Sequence, residues 1–171
     1  MSAARVPQAD AEPPFEVLGD GHERLRRMLR LMQWLRLHLA AMGRDGQARQ
    51  AARELVHFFD RTMPLHHEDE ERHVFPPLLA AGQCVEAVQR LQREHLEMAQ
   101  LWPAVRTVLR RRSDGPGLAP ADDAVLDRFV RLYDWHLAAE DELVFPAAAR
   151  CLDAAVLAEI GEQMARRRGR R

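Results

Sequence analysis

The sequence predicts an all-α protein: an antiparallel up-down-up-down four-helix bundle with a short fifth helix at the C-terminal end. Three observations predict it. Strong helix formers (Leu, Ala, Met, Arg, Glu and Gln) dominate the 171 residues, of which 47% are hydrophobic and only 6% aromatic. Apolar residues recur at three- and four-residue intervals through four long stretches, the period of a helix with one buried face. Breaks rich in Gly, Pro and Asp separate those stretches, and short connections make successive helices antiparallel neighbours.

Residues 1–18 hold Pro7, Pro13 and Pro14, lack periodicity, and read as a flexible arm whose end is pinned by Phe15, Val17 and Leu18. Residues 19–150 form the bundle, and residues 151–171 a short helix and an Arg-rich tail. Asp20 with Glu23 reads as a capping box opening the first helix, whose stripe is His22, Leu25, Leu29, Met32, Leu35, Leu39 and Met42. Gly43 and Asp45-Gly46 end it. The second helix, residues 47–75, carries Ala48, Ala52, Leu55, Phe59, Met63, His66, Glu70 and Val74 on one face. Pro64 is expected to bend it, and Pro76-Pro77 to end it. The third, residues 83–112, has the most regular stripe: Val88, Leu91, His95, Met98, Trp102, Val105 and Leu109. Ser113-Asp114-Gly115-Pro116-Gly117 and Pro120 make the longest break. The fourth, residues 121–145 or slightly beyond, carries Leu126, Phe129, Tyr133, His136, Glu140, Leu143 and Ala147, and the fifth covers residues 152–166.

The formal net charge of −1 gives no overall field toward nucleic acid or a membrane surface, so neither is expected as a partner. All 25 basic residues are Arg, which reads as the coding bias of a GC-rich bacterium. Cys84 and Cys151 are too few for a disulfide framework and lack metal-type spacing. No basic segment followed by an apolar run opens the chain, and no uncharged stretch approaches ~18 residues, so a cytoplasmic location is expected.

Chemistry enters with a repeat. His66-His67-Glu68-Asp69-Glu70-Glu71-Arg72-His73-Val74-Phe75-Pro76 recurs as His136-Leu137-Ala138-Ala139-Glu140-Asp141-Glu142-Leu143-Val144-Phe145-Pro146, sharing His-x-x-x-Glu-[Glu/Asp]-x-x-x-Phe-Pro. Residues four apart on a helix share a face, with Cβ atoms ~5–6 Å apart, so each pair can offer an imidazole and a carboxylate to one metal. In an antiparallel bundle, the starts of helices one and three lie beside the ends of helices two and four. His22 and His95 lie early in theirs; His66–Glu70 and His136–Glu140 lie late. All six fall on buried stripes at one end of the bundle. Buried charged carboxylates left without a partner cost on the order of several kcal/mol each, a penalty that bound dications remove. Bundle axes ~8–10 Å apart leave room for two metals ~3.5–4 Å apart.

These residues resemble the hemerythrin-like, His-His-Glu cation-binding family over about residues 20–148: His22, His66-His67-x-x-Glu70-Glu71 before Phe75-Pro76, Glu94-His95, and His136-x-x-x-Glu140 before Phe145-Pro146. The resemblance implies a four-helix bundle holding two non-haem iron ions, with His22, His66, Glu70, His95, His136 and Glu140 as ligands and Glu94 as a candidate bridge. The first reading is a protein that binds or senses dioxygen or nitric oxide, or handles iron and redox stress, with enzymatic activity left open. A di-iron oxidoreductase or an iron–sulfur-cluster repair protein is the alternative, and a structural zinc bundle a third. Oxygen-carrying relatives add a second histidine four residues beyond the one on the third helix, where this chain has Ala99 on the same face. Iron–sulfur repair relatives share the four-His, two-Glu set but usually carry an N-terminal cysteine-bearing segment, which is not seen here.

Other polar residues compete for roles. His67 with Glu71 lies about 100° around the helix from His66 and reads as a flanking pair, or alternatively a supplementary ligand. His73 reads as packing, His57 and His38 as surface. Glu68, Asp69, Asp141 and Glu142 read as a solvated acidic face, with Asp141 the reserve for Glu140. Tyr133 reads as pocket lining or core, the two cysteines as inert thiols, and the Arg tail as a solubilising one.

Overall fold

The structure, a computed structural model, describes residues 13–111 and 117–169. Most of the expected arm, the start of the longest break and the last two arginines lie outside those residues. Every regular element among the described residues is helical. The helices are α1 (Pro14–Met42), α2 (Gly46–Asp69), α3 (Phe75–Ala80), α4 (Val85–Arg110), α5 (Pro120–Ala139), α6 (Phe145–Cys151) and α7 (Ala154–Arg167). None is long and apolar enough to cross a membrane. The four long ones make a helical bundle: α1 packs on α2 and α5, and α4 packs on the same two. Arg36 of α1 locks to α5 through Asp123 at 2.7 Å and Asp127 at 2.6 Å. The Trp102 indole of α4 donates to Asp60 of α2 at 2.9 Å.

Between α2 and α3, and again between α5 and α6, the chain makes one π-helical turn, at Glu70–Val74 and Glu140–Val144. The Phe75 and Phe145 amides donate to the carbonyls of Glu70 and Glu140, five residues back. These turns correct two expectations. Pro76-Pro77 does not end the helical run of the second helix, which resumes as α3. The run of the fourth, expected to reach Phe145 or slightly beyond, is interrupted at Glu140 and resumes as α6 to Cys151. A π-turn interrupts the i→i−4 ladder, so prolines just after it sit at the first positions of a new helix, where an amide hydrogen is not needed. The turn also slips the register of the stripe. Leu143, expected inside, is 52% exposed, and Val144 is fully buried in its place.

The first helix also differs. It opens at Pro14 rather than at an Asp20–Glu23 capping box; no side chain caps it, and Leu18 lies in the core. A proline at the first helical position brings no unsatisfied amide, so Pro13-Pro14 suffices as a start. Asp45, by contrast, accepts from the Ala48 amide as a true N-cap of α2. Met42, expected on the stripe, is exposed at the last position of α1.

The buried apolar side chains form two clusters. The larger runs from Leu25 through Phe59, Met98, Phe129 and Tyr133. The smaller joins Leu18, Phe75, Leu78, Leu91 and Phe145 to Ile160 and Met164 of α7. On each long helix the histidines of the repeat fall between the two clusters, so a polar layer divides the core.

Candidate metal centre

None of His22, His66, Glu70, His95, His136 and Glu140 is more than 7% exposed. The two glutamates, at the first residues of the π-turns, stand between the histidines. Glu70 Oε1 is 2.9 Å from His66 Nε2 and 3.7 Å from His22 Nε2, while its Oε2 is 3.5 Å from His95 Nε2. Glu140 Oε2 is 3.2 Å from His22 Nε2, and its Oε1 is 3.2 Å from His136 Nε2. Each carboxylate therefore spans a His22–His66 side and a His95–His136 side, where the two Nε2 atoms lie 3.1 Å apart.

The outer nitrogens of three histidines are held. His22 Nδ1 is 2.7 Å from Asp141, His95 Nδ1 is 2.9 Å from Glu71, and His136 Nδ1 is 3.1 Å from Glu94. An imidazole whose Nδ1–H is anchored by a carboxylate presents Nε2 as a lone pair, the orientation that metal-ligating histidines need. Inside, Nε2 of His22 and His66 and both carboxylate oxygens of Glu70 and Glu140 are buried without hydrogen-bond partners. Burial lowers the pKa of His22 and His136, but the surrounding carboxylates outweigh it and push them up to about 11 and about 9. Burial raises Glu70, and His66 and His22 beside it more than reverse that, holding it well below its ordinary value. Burial pushes the Tyr133 phenol up, so it stays neutral beside the cluster.

In two groups every residue offers one ligand atom, and the atoms within a group lie within 4.8 Å of one another: His22, His66 and Glu70; and His67, Glu70, His95 and His136. His67 thus joins the cluster rather than merely flanking it. Its ring stacks on His95 at 4.0 Å, and its buried Nε2 has no hydrogen-bond partner. Burial, then His95 beside it, holds its pKa well below the ordinary value. The family model of the hemerythrin HHE cation-binding domain matches residues 14–148. The chain belongs to the hemerythrin HHE cation-binding family. It is also 30% identical over 161 residues to an uncharacterized protein of Haemophilus influenzae, covering 91% of this chain and 90% of that relative.

Within this HHE domain the acidic face needs correcting. Asp141 anchors His22 and pairs with Arg26. Asp69 is 1% exposed and is clamped by Arg167 and Arg168 of the C-terminal segment, which therefore is not simply a solubilising tail. Arg167 also lies 2.9 Å from His73 Nε2. Glu94 anchors His136 from outside rather than lying between the metal-facing nitrogens. His38 is not a bare surface residue; it stacks on Trp34 and lies 3.0 Å from Asp45. Ala99 is exposed, and Met98 takes the buried place one turn beyond His95. The outer carboxylates had a signal in the sequence: Glu71 and Asp141 each follow the repeat glutamate, and each anchors the lone histidine of one half.

Proposed function

We propose that His22, His66, Glu70, His95, His136 and Glu140 hold two iron ions in an antiparallel up-down-up-down four-helix bundle of about residues 19–150. In this reading the protein binds or senses dioxygen or nitric oxide, or handles iron under redox stress, in the cytoplasm. The carrying observation is the set of buried, unpartnered nitrogen and carboxylate atoms that face one another across the polar layer. Nitrogen and oxygen donors at these distances suit an intermediate first-row dication, and removing the penalty of burying two unpaired carboxylates favours its binding. Iron held by these residues would supply a redox-active Lewis acid able to bind a diatomic ligand.

The chain's own residues prepare that site. Glu70 and Glu140 each offer one oxygen to either side, as bridging carboxylates do. Asp141, Glu71 and Glu94 fix the ring orientations of His22, His95 and His136. Phe75 stacks on His95, and Phe145 on His22, keeping bulk water from the donor atoms. His67, held neutral, is a supplementary nitrogen on the His95–His136 side, so the exposed Ala99 does not limit the imidazole count to four. A pocket of about 260 Å³ reaches His66 between Gly21, Arg24 and Thr62, a route for a small ligand.

Anaerobic loading with ferrous iron followed by elemental analysis should give about two irons per chain. Optical spectra should then change on exposure to nitric oxide or dioxygen. One iron or none would overturn the two-metal reading. Two irons with no response to either gas would overturn the gas-binding part, and zinc retained against iron would point to a structural metal.

A further inference from the structure

A strongly charged concavity on another part of the bundle has no part in the metal centre. It is a groove of about 750 Å³ between the first half of α2 and the last turn of α4. Arg44, Arg49, Arg53, Arg61, Arg110 and Arg111 line it, with Asp60 as the single carboxylate. Ala52, Val56 and Leu109 make an apolar floor, and His57 stands exposed at its side.

Its positive charge is largely uncompensated. Asp60 is already engaged by the Trp102 indole, by Arg106 at 3.4 Å and by Arg110 at 3.3 Å. Arg111 pairs with Asp122. Among the described residues, no carboxylate lies within ion-pair distance of Arg44, Arg49, Arg53 or Arg61. Arg44 is fixed by donating to the Val108 and Leu109 carbonyls at the end of α4, and Arg49 donates to the Arg44 carbonyl at 2.7 Å. Burial, then the neighbouring Arg111, lowers the Arg44 pKa against the weaker opposing pull of Asp122: like charges are being held together. In a chain of net charge −1, this concentration is local rather than a general basic surface. Guanidinium forks match phosphate oxygens bidentately, and small-molecule pockets span roughly 300–1,000 Å³ with an apolar lining.

We propose that this groove binds a nucleotide: a ligand with more than one phosphate for the arginines and a planar ring for the apolar floor and His57. A lone inorganic phosphate would leave the floor bare. A nucleic-acid strand would call for a basic track longer than this one end of the bundle. Arg49 lies ~25 Å along α2 from His66 at 1.5 Å per residue, so this inference does not rest on the iron reading.

The test is calorimetric titration of the full-length protein, metal-loaded and metal-free, with ATP, ADP, inorganic phosphate and a single-stranded oligonucleotide. ATP or ADP should saturate at one site in the micromolar range, at least about tenfold tighter than inorganic phosphate. Arg49→Glu with Arg53→Glu, two exposed side chains without carboxylate partners, should weaken nucleotide at least about tenfold. Metal content and melting temperature should stay unchanged in that variant, and Arg93→Glu with Arg150→Glu should leave binding intact. Absence of saturable nucleotide binding, indifference to the Arg49/Arg53 reversal, or equal affinity for inorganic phosphate would each overturn the proposal. Preference for the oligonucleotide would replace it with a nucleic-acid site.

Discussion

At the scale of residues, the internal repeat explains an asymmetry at the site. Glu71 and Asp141 occupy equivalent positions and anchor His95 and His22 in the same way. Glu94, just before His95, anchors His136; its counterpart just before His22 is Gly21, which has no side chain. Among the described residues His66 is therefore the one histidine of the four without a carboxylate on Nδ1, and its ring lies against the Gly21 backbone instead. A Cβ at Gly21 would stand 2.6 Å from His66 Nδ1 and 2.8 Å from Cε1, well inside contact distance. Gly21→Ala should gain up to about 1 kcal/mol of helix propensity, but only by pushing the His66 ring off its position. The expected result is a folded protein whose metal affinity falls about tenfold or more on the His22–His66 side, since orienting contacts are worth that much. Competition with a chromophoric chelator measures it. Unaltered affinity for the whole metal complement would mean that the ring has slack and Gly21 plays no positioning part.

At the scale of elements, the four long helices were legible because each carries an apolar stripe, and the six site residues were legible because they interrupt those stripes at matching places. The π-turns were not. A single extra residue per turn leaves no mark on composition, and Pro76-Pro77 read as a stop. Once the turn is present, Val144 rather than Leu143 faces inward. The same blindness hid Asp69. A run of acidic residues looks solvated until a distant segment covers it, and the arginines that do so lie at the far end of the chain. Asp69 sits immediately before the first π-turn, and its clamp ties α7 to the site end of the bundle. Asp69→Ala leaves Arg167 and Arg168, each about one-fifth exposed, without their partner, so the loss should be about 2–3 kcal/mol, below that of a fully buried pair. Glu162→Ala, removing an exposed pair with Arg166, should cost under ~1 kcal/mol. Denaturant unfolding of the two metal-free variants compares them directly; equal losses would show that the clamp is as weak as a surface pair.

At the scale of the whole molecule, the polar layer sets the stability of the fold as well as its chemistry. It separates the two apolar clusters, and no helix among the long four avoids contributing to it. Without metal, the layer is held by protons: His22 and His136, pushed up to about 11 and about 9, remain charged near neutrality and partly offset Glu70 and Glu140. That compensation is incomplete, because both oxygens of each glutamate still lack hydrogen-bond partners. Metal should thus bind the folded chain far better than the unfolded one, and the difference appears as stability. A ligand at roughly 1,000 times its Kd adds ~4 kcal/mol per site. In a domain of this size each kcal/mol moves the melting temperature by about 2–4 °C. Removing two metals by chelation should therefore lower Tm by more than about 10 °C. Restoring iron should restore Tm, and the Glu70→Gln, Glu140→Gln double variant should melt alike with and without chelator. If wild type and its chelated form melt together, the six side chains do not act as one buried cluster, and the polar layer is satisfied by protons alone.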